Sequence, residues 1–291
     1  MGLSSVMQTA LTGISAAKSS VGVIANNLAN ANTPGFKQSR VALATQTPMT
    51  NALGAAPSAT SGGTNPAQTG LGVSLAAIQT DFTQGTIKLS NQPTDLALEG
   101  QGMFIVQGDN NEKLYTRDGN FGQSANGELV TNTGYSVLGH GVDNNFNIQS
   151  GGLTAIRIPA GMQARSDDGS AATLVSFSVA ENGLIKGRFT DGEARDLGQI
   201  QVARFANPSG LINRGNNLYS AGPNSGTPVH SNASEGGSAK IVAGATELSN
   251  TDIGENLIGL TESSIQIRAS TAVLGAAAEL FDELLQLGRR L

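Results

Sequence analysis

Residues 3–28, LSSVMQTALTGISAAKSSVGVIANNL, decide the fold of this chain. Apolar side chains recur there at alternating steps of four and three residues, at Leu3, Met7, Ala10, Ile14, Ala17, Val21, Ile24 and Leu28. This spacing places them along one side of a helix, as in the a and d positions of a coiled coil. The sequence therefore predicts a helix of about 40 Å that ends before Pro34 and Gly35.

The same spacing returns near residue 291. It runs through Ile253, Leu257, Leu260, Ser264, Ile267, Thr271, Leu274, Ala278, Phe281 and Leu285. Thr251 or Asp252 can cap this second helix, and Glu255 follows Asp252 at the spacing of a capping box. We predict a helix of about 50 Å that pairs with the first in a coiled-coil-like arrangement.

Between the helices the pattern changes to short strand-like runs, at residues 96–98, 103–106, 128–131, 174–179 and 199–205. Pairs typical of hairpin turns separate them, namely Asp118-Gly119, Asn126-Gly127, Asn182-Gly183 and Asp191-Gly192. The predicted fold class is therefore α+β, with an antiparallel β domain inserted between two long terminal helices.

We expect four regions along the chain. Residues 1–36 plus 250–291 form a terminal helical domain for polymerisation, and residues 73–141 plus 173–231 form the β-rich domain. Residues 37–72 plus 232–249 form an extended connection, because stretches 46–70 and 220–240 hold few large apolar residues. Residues 142–172 are a short variable insertion.

Composition excludes several function classes. The 291 residues carry a net charge of −5 with no basic cluster, which argues against nucleic acid and anionic membranes as partners. No apolar run approaches the roughly 20 residues of a membrane span, and the first charge, Lys18, arrives too late for the n-region of a Sec signal peptide. The absence of cysteine excludes disulfides, thiol catalysis and zinc fingers.

Catalysis is not expected. The best acidic cluster, Asp167-Asp168, with Glu181 and Glu193 elsewhere, could serve as acid and base or hold a cation, but it reads more simply as a loop turn. We expect no metal, no cofactor and no small-molecule substrate.

The remaining candidates for chemistry are equally sparse. His140 and His230 lack partners at the spacing of a triad or a zinc site. Gly100-x-Gly102 lacks the third glycine of a dinucleotide fingerprint. A face formed by Tyr115, Arg117, Asp118 and Phe121 could bind a ligand, but core aromatic residues beside a turn are the simpler interpretation.

The helices themselves indicate assembly. Residues 1–36 contain one charged side chain, Lys18, and their off-seam positions are small and neutral. A single helix pair leaves much apolar surface in water, and copies of the same chain are its natural cover. Patches that meet head to tail give filaments, because such contacts do not close.

Residues 26–37 read NNLANANTPGFK, which resembles the N-terminal signature of the bacterial flagellar axial proteins, the rod and hook subunits. DLAL at 95–98, GQGMF at 100–104, YTRDGNF at 115–121 and ELSNTD at 247–252 resemble other parts of that family. One departure is at Ser264, Ile265, Gln266 and Ile267, where the family often carries Gln-Arg-x-Tyr.

The resemblance implies a structural subunit that self-assembles into a tubular axial structure and transmits torque. Its expected partners are copies of itself in a helical tube, rod and hook-junction subunits, and the cap protein during assembly. Export would use the flagellar type III apparatus, to the extracellular hook or the periplasm-spanning basal body. A compact hook protein with a reduced outer domain is favoured over the distal rod subunit, and a secreted β-rich adhesin is a further alternative.

The residues expected to contact neighbouring subunits lie on both helices and on the turn after the first. For Asn26, Asn27 and Asn30 the amides either fix the register between subunits or bind water at a fraying helix end. The full set is Leu3, Met7, Ile14, Val21, Ile24, Asn26, Asn27, Leu28, Asn30, Thr33, Gly35, Phe36, Ile253, Leu257, Leu260, Ile267, Leu274, Phe281 and Leu285.

Overall fold

The computed structural model describes residues 3–58, 60, 62–143, 145–149, 151–158, 163–165 and 171–290. The chain forms two compact units. The helical unit comprises residues 1–29, 38–81 and 252–291, and the β unit comprises residues 30–37 and 82–251. The α+β class and the insertion of the β part between two long helices are as predicted.

Two long helices dominate the helical unit, α1 (Leu3–Ala29) and α2 (Ile253–Arg290). The carboxylate of Asp252 caps α2, accepting a hydrogen bond from the backbone N–H of Glu255 at 3.1 Å. The helices run antiparallel, because Asn27 meets Asn256 while Gly13 lies against Ser270. Both predicted helices and their pairing are therefore confirmed.

Four strands complete the helical unit: β1 (Ser39–Thr45), β2 (Met49–Ala52), β3 (Ala67–Thr69) and β4 (Val73–Thr80). β1 pairs with β4, and β2 pairs with β3, both antiparallel. Residues 38–81 thus belong with the helices, whereas the sequence suggested a linker to residue 72 and the β domain beyond it. The physical reason is cross-strand pairing of apolar residues, with Val41 opposite Ile78 and Leu43 opposite Leu75.

The β unit is built from short strands. They are β5 (Ile87–Leu89), β6 (Leu96–Glu99), β7 (Met103–Gln107), β8 (Lys113–Thr116), β9 (Phe121–Gln123), β10 (Leu129–Thr131), β11 (Ser136–His140), β12 (Thr154–Ala155), β13 (Gln163–Arg165), β14 (Ala171–Val179), β15 (Leu184–Phe189), β16 (Ala194–Arg204), β17 (Ile212–Gly215), β18 (Leu218–Ser220), β19 (Val229–Asn232), β20 (Lys240–Ala243) and β21 (Ala245–Glu247). All five predicted strand regions contain a strand.

The main sheet of the β unit is antiparallel, with the order β13-β14-β15-β16-β11-β7-β8-β18-β17. The same sheet also includes β9, β10, β12 and β19, which pair with it outside this order. Two separate antiparallel pairs are β6 with β20 and β5 with β21. The last two pairs bring residues near 90 beside residues near 245, so both ends of the β unit lie together.

Three of the four predicted hairpin turns are present. Gly127, Gly183 and Gly192 adopt positive φ between paired strands, as such turns require. The prediction for Asp118-Gly119 is wrong, because β8 pairs with β7 and β18 rather than with β9. Gly119 instead allows its backbone to pass close to β6. A methyl group on Gly119 would lie 1.5 Å from the carbonyl oxygen of Leu96.

The core of the β unit contains the aromatic residues of the binding face considered from the sequence. Tyr115 and Phe121 are buried, and their rings make edge contacts with Phe205 and Phe104 at centroid distances of 4.7 and 5.0 Å. The core interpretation of these residues is therefore confirmed. Burial also raises the pKa of Tyr219 to about 12.

Candidate functional site

The predicted apolar seam of α1 is covered along its length, and Ile24 of this seam lies beside Gly259 of α2. All eight seam residues are buried or half-buried, and Ala10 and Ala17 are the most completely covered. Small residues at these positions let the two helices approach closely. The seam therefore stabilises the helix pair within one chain.

The face of α2 that meets α1 differs in part from the predicted seam. Leu260, Ile267 and Leu274 are half-buried as expected. The fully buried positions of this face are the small or polar residues Asn256, Ser263 and Ala277, and Ser264 is half-buried, whereas Leu257, Thr271 and Ala278 are exposed. The seam prediction for Leu257, Thr271 and Ala278 is wrong, because α2 turns its smaller residues toward the closely packed α1.

α1 leaves large apolar side chains of α2 in water, some on the outer side of α2 and some beyond the level of Leu3, where α1 begins. About half or more of each is exposed, in the set Ile253, Leu257, Ile258, Ile265, Val273, Leu280, Phe281, Leu284, Leu285 and Leu287. We call these residues the α2 apolar surface. Exposed apolar area of this extent is typical of surfaces that contact other molecules.

The asparagines at the end of α1 differ in their surroundings. Asn27 is buried, and its amide group donates hydrogen bonds to the carbonyl of Ser39 at 2.9 Å and to the side chain of Asn256 at 3.2 Å. Its carbonyl oxygen accepts from the N–H of Ser39 at 2.9 Å. Asn26 is exposed, and Asn30 accepts a hydrogen bond from Thr33. Asn27 therefore joins α1, β1 and α2 inside one chain.

The turn after α1, residues 30–37, is built into the β unit. Gly35 has φ of +68°, and its N–H donates to the carbonyl of Glu247 at 2.8 Å. A methyl group on Gly35 would lie 2.5 Å from the backbone nitrogen of Asp118. Phe36 is buried, and Asn217 donates to the carbonyl of Pro34. Glycine is required here by both backbone conformation and space.

A buried ion network fixes this turn. Nζ of Lys37 lies 2.6 Å from one carboxylate oxygen of Glu247, and Nη1 of Arg117 lies 3.1 Å from the other. Lys37 also donates to the carbonyl of Thr83, and the N–H of Gly85 donates to Glu247. Burial lowers the pKa of Arg117, and Glu247 opposes that shift. We call Lys37, Arg117 and Glu247 the anchor triad.

Sequence reasoning missed the anchor triad as a unit. Lys37 ends the NNLANANTPGFK motif and Glu247 begins ELSNTD, 210 positions apart. The available signal was their charge, because only 13% of residues are charged and both stand among neutral neighbours.

The residues considered for catalysis are dispersed. Asp167 and Asp168 lie outside the described residues, and within the described ranges no group of three or more His, Asp or Glu side chains could hold a metal. Glu193 pairs with Arg195, and burial together with Lys113 lowers the pKa of His230. No described helix is both long and apolar enough to cross a membrane.

Comparison with known proteins identifies the family. Residues 7–37 match the family model of the flagella basal body rod protein, and residues 97–187 match that of the flagellar hook protein FlgE/F/G D1 domain. The flagellar basal-body rod protein FlgG of Bacillus subtilis is 34% identical over 285 residues, covering 97% of this chain and 98% of the relative. The chain belongs to the flagellar rod and hook protein family.

Other members of the flagellar rod and hook family extend the comparison. FlgG of Borreliella burgdorferi is 32% identical and covers 94% of this chain and 97% of the relative. The flagellar hook protein FlgE of Helicobacter mustelae is 40% identical over 131 residues, which are 44% of this chain and 29% of the relative. The family is structural and not enzymatic, and its proteins belong to the axial structures of the flagellum.

Proposed function

We propose that this chain is a rod subunit of the bacterial flagellum that polymerises into a tube through its terminal helices. The observation that carries the proposal is the α2 apolar surface, which α1 leaves uncovered along the length of α2. Covering such a surface with further helices removes apolar area from water, which favours association at about 25 cal/mol per Å².

The rod is favoured over the hook by the extent of the relatives. Rod proteins match this chain almost from end to end, whereas the matched hook protein shares only a segment that makes up 29% of its own length. A compact hook subunit is the second candidate, supported by the 40% identity within that segment.

In this proposal the partners are further copies of the chain, neighbouring rod and hook-junction subunits, and a cap protein during assembly. Export through the flagellar type III apparatus would deliver the chain to the growing axial structure. The assembled tube would transmit torque through many identical contacts between helices.

The predicted subunit-contact residues divide into two groups under this proposal. Residues of the α2 apolar surface, such as Ile253, Leu257, Phe281 and Leu285, are available to neighbours. Asn27, Gly35 and Phe36 are engaged within the chain and act by holding the helices and the turn in place.

Electron microscopy of the purified full chain under polymerising conditions tests the proposal. We expect tubes, straight for a rod and supercoiled for a hook. Ile265→Asp, on the α2 apolar surface, should abolish tubes while the monomer stays folded by circular dichroism, because a charge cannot be buried in an apolar contact.

The matched control is Val175→Asp in β14, where the native side chain is similarly exposed at 65% against 60% for Ile265. Tubes from the control and none from Ile265→Asp support assembly through α2. A wild-type chain that stays monomeric, or an Ile265→Asp chain that polymerises normally, would overturn the proposal.

A further inference from the structure

A groove in the helical unit has a shape and charge pattern that suit the last turns of α2. It has a volume of about 540 Å³ and lies between α1, β1 and α2, with Ile24, Val41 and Ile258 among its apolar walls. Arg40 and Glu255 stand at one end, 3.7 Å apart, and Glu262 stands two helical turns further along α2.

The last turns of α2 carry a complementary pattern. Within the described residues α1 begins at Leu3, and beyond that level the α1-facing side of α2 continues with Phe281 and Leu285 exposed. Asp282 and Arg289 flank Leu285 on this side, because they are seven residues apart and so lie on one face of the helix.

The two patterns match in order and spacing when both helices point the same way. Asp282 then lies level with the Arg40–Glu255 ion pair, Leu285 lies opposite Ile258, and Arg289 lies opposite Glu262. The separation is the same on both sides, since Glu255 and Glu262 are also seven residues apart, about 10 Å along a helix.

The last turns cannot reach the groove of their own chain. Residues 258 and 285 belong to the one continuous helix α2 and are separated by about 40 Å along its axis. A second copy of the chain carries the same last turns and can supply the occupant. Such a contact joins two different surfaces, so it can repeat from copy to copy and extends into a filament when the rotation between copies does not close a ring.

We propose that residues 281–289 of one copy dock in the groove of the next copy, with Leu285 against Ile258 and Arg289 against Glu262. This inference rests on the proposed function and adds the contact that fixes the head-to-tail order. The pairing gives specificity through charge, because a shift of one turn would place Arg289 away from Glu262.

Cysteine cross-linking tests the docking directly, because the native chain contains no cysteine. Full-length Ile258→Cys and Leu285→Cys chains are mixed, polymerised and oxidised, so that any bond between the two variants joins different molecules. We expect a dimer band on non-reducing gels. The matched control replaces Leu285→Cys with Leu280→Cys, which is equally exposed at 53% but lies on the opposite side of the helix, and should give at least tenfold less dimer.

Charge exchange supplies a second measurement. Glu262→Arg or Arg289→Glu alone should slow polymerisation, and the double variant should restore it, whereas a purely structural role for either residue would not produce rescue.

The outcomes separate the two proposals. Tubes that form without the 258–285 bond, or that bond Leu280→Cys to Ile258→Cys as readily, would overturn the docking and leave the rod proposal standing. A native chain that never polymerises would overturn both.

Discussion

The side-chain nitrogen of Lys37 lies 2.6 Å from the carboxylate of Glu247, and both side chains are 0% exposed. The two residues come from opposite ends of the β unit, so their ion pair closes that unit around the turn that follows α1. Arg117 pairs with the second carboxylate oxygen, so one carboxylate holds two buried cations.

Removing the carboxylate from this network should cost much of the stability of the β unit. We expect Glu247→Ala to lower the free energy of unfolding by about 3–5 kcal/mol, because two buried cations lose their counter-charge. Urea unfolding followed by tyrosine fluorescence reports on this unit, since all three tyrosines lie in it and the chain has no tryptophan.

Glu99→Ala is the matched control for that variant. Glu99 pairs with Lys240 at 3.0 Å, but both side chains are largely in water. We expect a loss below about 1 kcal/mol. Equal losses in the two variants would contradict the special role of the anchor triad.

Gly35→Ala should destabilise the β unit more than an equivalent change at an open site. The positive φ of Gly35 costs a side chain about 1–2 kcal/mol, and overlap with the Asp118 backbone should add about 1–3 kcal/mol. Gly134→Ala is the control, because Gly134 also has positive φ but open space around it. The comparison fails if the two variants unfold at the same urea concentration.

Replacing the neighbouring residues Asn26 and Asn27 should have different effects on the stability of the helical unit. Asn27→Ala leaves the hydrogen-bonding groups of Ser39 and Asn256 without their partner. We therefore expect the free energy of unfolding of the helical unit to fall by about 1–3 kcal/mol. Asn26→Ala, at an exposed position, should cost less stability than Asn27→Ala. Thermal melts by circular dichroism measure both, and reversal of the order would contradict the structure.

Asp118 and Asp143 should make opposite contributions to the pH dependence of stability. Burial raises the pKa of Asp118, so its contribution to stability is full at low pH and is lost as pH rises through the raised value. Asp118→Asn, which can still accept the hydrogen bond from Asn120, should match the native chain near pH 3 and exceed its stability at pH 7.

Asp143→Asn is the control with the opposite sign. The backbone N–H of Asn147, with that of Asn145, donates to Asp143 and lowers its pKa, so ionised Asp143 stabilises the fold above its ordinary pKa. The variant should therefore be less stable than the native chain at pH 7. Unfolding at both pH values decides the signs.

Amide exchange rates should differ between the turn at Gly35, which belongs to the β unit, and α1, which belongs to the helical unit. The N–H of Gly35 bonds to Glu247 inside the β unit, so it should exchange slowly in the monomer. Amides of α1, on a thin helix pair, should exchange faster and gain protection in the polymer. Exchange at Gly35 as fast as at Ala10 would contradict the anchoring of the turn.

Much of the architecture could be predicted from local pattern. The steps of four and three in α1 and the Asn-Gly and Asp-Gly pairs before β10, β15 and β16 depend only on neighbouring residues. The hairpin prediction for Asp118-Gly119 was wrong because an Asp-Gly pair occurs both in hairpin turns and where two backbone segments pass close together. Which of the two applies here depends on β6, against which Gly119 packs.

Less of the candidate site could be predicted from the sequence. The choice between Leu257 and Asn256 for the inner face of α2 depends on how closely α1 approaches, and the linker prediction for residues 37–72 failed to foresee β1 because its partner β4 begins at Val73.

The sequence by itself determined two amphipathic helices, an inserted antiparallel β domain and a surface in need of partners, because helix and strand periodicity is written in consecutive residues. Only the tertiary structure decided which side of α2 remains open and that Lys37, Arg117 and Glu247 share one buried network. Both depend on residues that are distant in sequence meeting in a low-dielectric interior, where packing and charge compensation act between segments that no local pattern connects.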